Sequence, residues 1–173
     1  LYLNTLPIVK DYDLYLITAG TLGDNEKSSY EINEFKRIHK INFYCLIPWI
    51  MSIANKKRVQ KGSRLWVFSS VASDRGRPSN YTYGSSKAAL TNYCEGLIAK
   101  FYGSKFKVRL IKAGFMKTPM SAGKSPDFLS ISPKSVSKIL LKNTNKSGVE
   151  YLPWWWFFIM KIIRMLPSSF GSK

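Results

Sequence analysis

Histidine is almost missing from this 173-residue chain: His39 is the only one. That all but excludes mechanisms built on a Ser-His-Asp triad or on a histidine metal cluster, and no metal site is expected. His39 itself, among Lys36, Arg37 and Lys40, reads as an exposed side chain. Acids are scarce too, 10 against 27 lysines and arginines, a formal charge of +17. Such an excess suits either solvated surface charge or a site for anions. The lysines are scattered, without an arginine-rich run, a zinc spacing or an RNA-binding signature, so no nucleic-acid partner is expected. Cysteine is limited to Cys45 and Cys94, with no C-x-x-C. Both read as buried free thiols of a reducing compartment, which makes the expected location cytoplasmic. No uncharged run reaches the roughly 20 residues of a membrane span. The nearest, Leu152 to Met160, is followed by Lys161 and Arg164. The sequence opens on Leu1, without a signal-peptide pattern, and an apolar segment begins almost at once. We expect a fragment lacking an N-terminal part of its parent.

What is present alternates in type. "YDLYLITAG" (Tyr12 to Gly20) is an apolar run closed by glycine and predicts a buried strand. From Tyr30 to Gln60 apolar residues recur at helical steps (Ile32, Phe35, Ile38, Ile41, Cys45), with Pro48 expected to kink or divide the helix. "RLWVFSS" (Arg64 to Ser70) predicts a second buried strand, Asn80 to Tyr102 a long helix, and "KVRLIKAG" (Lys107 to Gly114) a third strand. Residues 115 to 131 read as a loop. Pro133 opens a helix running to about Asn143, "GVEYLP" predicts a last strand, and an apolar helix and a frayed tail, Ser168 to Lys173, follow. Strands separated by long helices imply parallel pairing, hence an α/β sheet with helices on both faces. Ligands of such sheets bind beyond the carboxyl ends of the strands. Those ends are Ala19-Gly20, Ser69-Ser70 and Ala113-Gly114, expected to line one crevice.

In "SSVASDRGRPSNYTYGSSKAAL" Tyr83 and Lys87 stand four apart, on one helix face. A phenol near pKa 10 exchanges protons poorly at neutrality, and a nearby ammonium is expected to lower it into use as an acid or base. Ser70, at a strand end on the same crevice, can hydrogen-bond a substrate oxygen. The set suits proton transfer at a carbonyl or alcohol oxygen while a cofactor moves a hydride. A Y-x-x-x-K spacing alone is also common among surface residues, so the ensemble carries the reading.

That ensemble resembles the active site of the short-chain dehydrogenases/reductases. "YGSSK" (Tyr83 to Lys87) with Ser70 thirteen residues earlier matches the family's Ser-Tyr-Lys set. "ITAG" (Ile17 to Gly20) is similar to its Asn-Asn-Ala-Gly strand end, Asn42 to its helix asparagine, and "AGFMKT" (Ala113 to Thr118) to its Pro-Gly-x-x-x-Thr loop. The resemblance implies a Rossmann-like doubly wound sheet lacking the first βα units. Residues 1–173 are then a single domain, the C-terminal portion of that fold, ending in an aromatic segment at 151–167. It implies an NAD(P)(H)-dependent oxidoreductase interconverting a carbonyl and an alcohol. Tyr83 would be the acid/base, Ser70 would orient the substrate, Lys87 would lower the tyrosine pKa and bind the nicotinamide ribose, and Asn42 would complete a proton relay. Ser69 is the runner-up for the serine role, and Tyr81 is expected to form a pocket wall. Cofactor contacts are implied for Ala19, Gly20, Tyr83, Lys87, Gly114 and Thr118. Ile17-Thr18 and Ala113 depart from the family pattern. The Gly-rich phosphate loop and the residue choosing NAD or NADP are expected before Leu1, so the fragment alone is expected to bind dinucleotide poorly.

"YLPWWWFFIMKIIRMLP" (Tyr151 to Pro167) reads as a core or dimer-interface helix. Alternatives are a patch for a large apolar substrate and an interfacial membrane helix, with Lys161 and Arg164 at lipid phosphates. Together with "SSVASDRGRPSNYTYGSSKAAL" and "FMKTPMSAGK" it is similar to the decaprenylphosphoryl-2-keto-ribose reductase branch. That likeness implies a keto-sugar, lipid-linked substrate at the inner face of the membrane. A homo-oligomer is expected for the parent, and a non-catalytic binding protein of the same fold stands as the alternative function.

Overall fold

Four apolar segments bounded by turns fold, in a computed structural model, into one parallel sheet. The structure describes residues 6–55, 59, 61–121 and 127–167. The strands are β1 (Leu14–Ile17), β2 (Arg64–Ser70) and β3 (Lys107–Ala113), two short strands β4 (Phe115–Met116) and β5 (Ser130–Ile131) that pair only with each other, and β6 (Gly148–Leu152). The sheet order is β1-β2-β3-β6, with Trp66 opposite both Leu16 and Arg109, and Arg109 opposite Gly148. Between the strands lie α1 (Lys27–Tyr30), α2 (Ile32–His39), α3 (Ile47–Ile53), α4 (Tyr81–Lys100) and α5 (Pro133–Leu141), and α6 (Trp156–Met165) closes the chain. The expected tail, Ser168 to Lys173, and Gln60 lie outside the described residues.

Period-two alternation within β2 and β3 divides the core. Leu65, Val67, Val108 and Leu110 pack with Ile50, Ile53, Leu90 and Cys94 on one face; Trp66 and Ile111 pack with Val136, Leu140 and Leu152 on the other. A third cluster, Val71, Trp156 and Met160, seats α6. Each such buried side chain contributes about 1.5–3 kcal/mol. β3 also buries two cations, one on each face. Arg109 donates to Glu150 at 2.7 Å and to the Leu140 and Asn143 carbonyls. Lys112 pairs with Asp74 at 2.8 Å. Neither was legible in an apolar strand pattern.

Several expectations change. β1 is shorter than Tyr12 to Gly20 and is not fully buried: it is the sheet edge, and Leu16 is 55% exposed. The predicted loop contains β4 and β5, too short for a periodicity to show. The Tyr30–Gln60 helix is broken by a π-helical segment at Lys40–Tyr44, and Pro48 sits in the first turn of α3. The extra residue of a π-turn rotates the helix face by one position. The apolar stripe therefore passes from Ile38 to Leu46, and Cys45, expected to be buried, is exposed while Cys94 is buried. His39 is half-buried rather than exposed, stacked on Phe35 with ring centroids 4.1 Å apart.

Candidate active site

β2 ends at Ser69-Ser70, and alternation sends the two hydroxyls to different places. Ser69 is buried and bonds Thr91 Oγ1 at 2.7 Å and the Lys87 carbonyl at 3.2 Å, so it ties β2 to α4. Ser70 is half-buried, accepts from the Ala72 N–H at 3.1 Å, and its hydroxyl lies near enough to the Tyr83 phenol to lower the phenol's pKa. Of the two serines, Ser70 is the one whose hydroxyl lies toward the tyrosine. α4 places Tyr83 and Lys87 one turn apart in its first half. Gly84 faces inward beneath Tyr83, where a Cβ would sit 3.0 Å from the Ala72 carbonyl, so the helix start can lie against the end of β2.

Lys87 is 4% exposed and donates to the Phe68 carbonyl at 3.2 Å. Burial brings its pKa down from the ordinary 10.5 to about 8, so it carries charge at neutral pH but releases its proton readily. Tyr83 moves the other way. Burial pushes the phenol above its ordinary value, offset in part by the nearby Ser70 hydroxyl. This corrects the expectation that the ammonium of Lys87 lowers it: that ammonium is turned to the Phe68 carbonyl, and desolvation dominates.

Asn42 sits in the π-helical segment, fully buried. Its Oδ1 accepts from the Thr21 N–H at 2.8 Å; its Nδ2 donates to the Thr21 carbonyl and to Ser86 Oγ, both at 2.9 Å. Both amide protons are therefore engaged, and the side chain anchors the strand-end loop. Gly20 lies against this pair: a Cβ there would be 3.1 Å from Asn42 Oδ1 and 3.2 Å from Lys87 Nζ.

Two cavities meet at Tyr83. One, of about 660 Å³, runs along the apolar sheet edge and is lined by Leu16, Thr18, Gly20, Phe68, Lys87 and Thr118. The other, of about 480 Å³, is lined by Ser70, Arg77, Asn80, Gly114, Met120 and Asn25. Ser69, Tyr83, Met116, Thr118 and Met120 border both. The strand ends therefore line two adjoining clefts rather than one. Ala19 is exposed and borders neither, and Tyr81, expected as a wall, is 43% exposed and also borders neither. Gly114 accommodates Trp156: a Cβ would stand 1.9 Å from the indole Nε1. Sequence reasoning missed Arg77 and Asn80, because nothing in "SDRGRPSN" distinguishes Arg77 from Arg75, and Asn25, which lies in the polar loop "TLGDNEKSS". The latter leaves the site to donate to the Ile163, Leu166 and Pro167 carbonyls at the end of α6. Among the described residues no cluster of His, Cys, Asp and Glu is arranged to hold a metal.

The sequence model of the family described as enoyl-(acyl carrier protein) reductase matches residues 8–148. The chain is 28% identical over 153 residues to an uncharacterized oxidoreductase of Mycobacterium tuberculosis, covering 88% of this chain and 61% of that protein. It is 25% identical over 157 residues to an uncharacterized oxidoreductase of Streptomyces coelicolor, covering 91% and 62%. The chain thus spans about three-fifths of the length of these relatives. In fold it is similar to a short-chain dehydrogenase from Burkholderia cenocepacia solved in complex with NADP (TM-score 0.74, 17% identity, 90% of this chain and 67% of that one). It is likewise similar to BdcA solved in complex with NADPH (TM-score 0.66, 20% identity, 80% and 63%). The chain belongs to the short-chain dehydrogenase/reductase family and has its α/β Rossmann-like fold.

Proposed function

We propose that the protein carrying this chain is an NAD(P)-dependent oxidoreductase that interconverts a carbonyl and an alcohol, with Tyr83 as the proton-transferring group. The observation that carries this is the position of Tyr83 at the junction of two cavities, with Ser70 on one side and Lys87 on the other. Relatives named as oxidoreductases and neighbours solved with NADP or NADPH support it. The 660 Å³ cleft suits the nicotinamide half of such a cofactor, since Gly20 leaves room beside Lys87 and Asn42, and Thr18 and Thr118 supply hydroxyls. A bound nicotinamide supplies or accepts the hydride.

The chain's own groups handle the oxygen and its proton. Ser70 orients the substrate oxygen toward the Tyr83 hydroxyl. A phenol held above its ordinary pKa stays protonated at neutral pH, which suits donation to a carbonyl oxygen as hydride reaches the carbon. The phenolate left behind regains its proton from solvent, and Lys87, beside Gly20 in the 660 Å³ cleft, is placed to hold the nicotinamide half. Asn42 contributes by fixing the Thr21 loop against Ser86 on α4. A test is deuteride transfer: the protein is incubated with 4-deuterated NADH or NADPH and a panel of ketones and keto sugars. Deuterium on the product carbinol carbon supports the reading; no alcohol formed with either cofactor overturns it.

A second reading concerns where the enzyme works. Trp154, Phe157, Phe158, Ile162 and Met165 are exposed, Trp154 at 68%, beside Lys161 and Arg164. An aromatic, basic face of this kind suits the headgroup layer and a lipid-linked substrate. Among the described residues no helix is long and apolar enough to cross a membrane. Flotation with anionic vesicles, lost on Trp154→Ser with Phe158→Ser, supports peripheral contact. Retention of vesicle binding in that variant counts against it, and concentration-dependent self-association in its place assigns the face to a second copy.

A further inference from the structure

The 480 Å³ cavity holds a cation without an anion. Arg77 borders it; its Nε is buried and has no hydrogen-bond partner. Among the described residues no carboxylate pairs with it, and no acidic side chain borders the cavity. Elsewhere the chain treats buried cations differently: Arg109 is paired with Glu150 and Lys112 with Asp74. Arg77 is half-buried, and its buried Nε, left without an acceptor, is unfavourable unless something outside the chain completes it. Two acceptors in the same cavity are also unsatisfied, the Oδ1 atoms of Asn80 and Asn25, and these suit donors such as substrate hydroxyls rather than the anion itself. Asn80 precedes α4 yet makes no capping hydrogen bond with its side chain, so its amide is free for another partner. The cavity also contains Ser70 and Tyr83, which puts Arg77 in the same pocket as the reacting oxygen.

We infer that the substrate carries an anionic group, phosphate or carboxylate, close to its carbonyl or alcohol, and that Arg77 recognises that group. The planar guanidinium suits both anions, because its N–H groups match two oxygens at once. The anion belongs to the substrate rather than to a dinucleotide. Arg77 borders only the cavity that Ser70 borders, whereas Lys87, Gly20 and Thr18 border the other. The inference rests on the oxidoreductase reading for the word substrate, but anion binding at Arg77 is measurable without turnover.

The test is calorimetric binding of inorganic phosphate, acetate and glycerol to the full-length protein, its Tyr83→Phe variant, Arg77→Met, and a charge control, Lys105→Gln. Lys105 is exposed and precedes β3, at the opposite end of the strands from Ser70. Expected is phosphate or acetate binding that Tyr83→Phe and Lys105→Gln leave within twofold and Arg77→Met weakens at least tenfold. Which of the two anions shows the Arg77 dependence identifies the source. Glycerol is expected to show no Arg77 dependence. Should Arg77→Met fail to fold, Arg77→Lys serves, with a loss of at least threefold expected because the paired N–H geometry is gone. Equal anion affinity in Arg77 variants and wild type, or the same loss in Lys105→Gln, overturns the inference. If no carbonyl is reduced but the Arg77 dependence persists, the oxidoreductase reading fails and the anion site stands. If carbonyls are reduced and Arg77→Met lowers kcat/KM equally for charged and neutral ones, the reverse holds.

Discussion

Replacing Lys87 by methionine should make the protein more stable at neutral pH while removing its activity. Burial takes the ammonium from 10.5 to about 8. The unfolded chain then holds the proton more tightly than the folded one, so stability rises with pH between those two values and the penalty is full below about 8. At roughly 1.4 kcal/mol per pH unit, the penalty is about 3 kcal/mol. Methionine keeps most of the apolar stem and carries no charge. It forfeits the hydrogen bond to the Phe68 carbonyl, worth about 1 kcal/mol. The expected net gain at pH 7 is therefore about 2 kcal/mol. Urea unfolding followed by tryptophan fluorescence, from pH 6 to 10.5, measures it for both proteins. Cys94, its thiol pushed up to about 12 by burial and lowered in part by Lys87, titrates only at the top of this range, so below about pH 10 the difference reports mainly Lys87. That difference should shrink above pH 8 and reverse near 10.5. A difference flat with pH, or a variant less stable at pH 7, would refute the burial argument.

Other expectations follow from the same geometry. Asn42→Ala removes three hydrogen bonds, leaving the Thr21 N–H and carbonyl without their side-chain partner and Ser86 without its donor; a loss of about 2–4 kcal/mol in urea unfolding is expected. Gly114→Ala drives a methyl into the Trp156 indole and should lower Tm by an amount corresponding to at least about 2 kcal/mol, less when combined with Trp156→Leu. Asp74→Asn strips the buried Lys112 of its closest anion, leaving only Glu95 at 3.3 Å, and removes a charged acceptor from Tyr151; about 3 kcal/mol of stability should go, read by thermal unfolding. Ser70→Ala should reduce kcat roughly 10- to 100-fold while costing only about 1 kcal/mol of stability, through loss of the cap on the Ala72 N–H.

The sheet was legible because β1, β2 and β3 are apolar runs closed by small residues, and because the helices between them are long enough to force parallel crossovers. Where the pattern misled, a specific local cause is visible. The π-turn at Lys40–Tyr44 shifts the helix face and sends Cys45 to solvent, which a strict three- and four-residue stripe does not encode. Buried Arg109 and Lys112 look like solvent-facing residues of a strand until Glu150 and Asp74 arrive from distant segments. At the site, the Tyr83–Lys87 spacing identified the helix face, and the distance to Ser70 separated it from Ser69, whose hydroxyl turns to Thr91. The direction of the phenol's pKa was beyond spacing: it depends on how deeply Tyr83 sits and where the Lys87 ammonium points. Arg77 escaped for the same reason, since only the folded loop shows which of two nearby arginines turns inward.

The account turns on the hydroxyl of Tyr83, and its removal is the most direct measurement. In the full-length protein, nicotinamide-dependent reduction of whichever carbonyl passes the deuteride test should fall at least about 1000-fold on Tyr83→Phe. The unfolding midpoint should hold or rise, since a desolvated phenol is removed. Turnover within a few-fold of wild type in that variant would contradict the assignment of Tyr83 as the group that moves the proton.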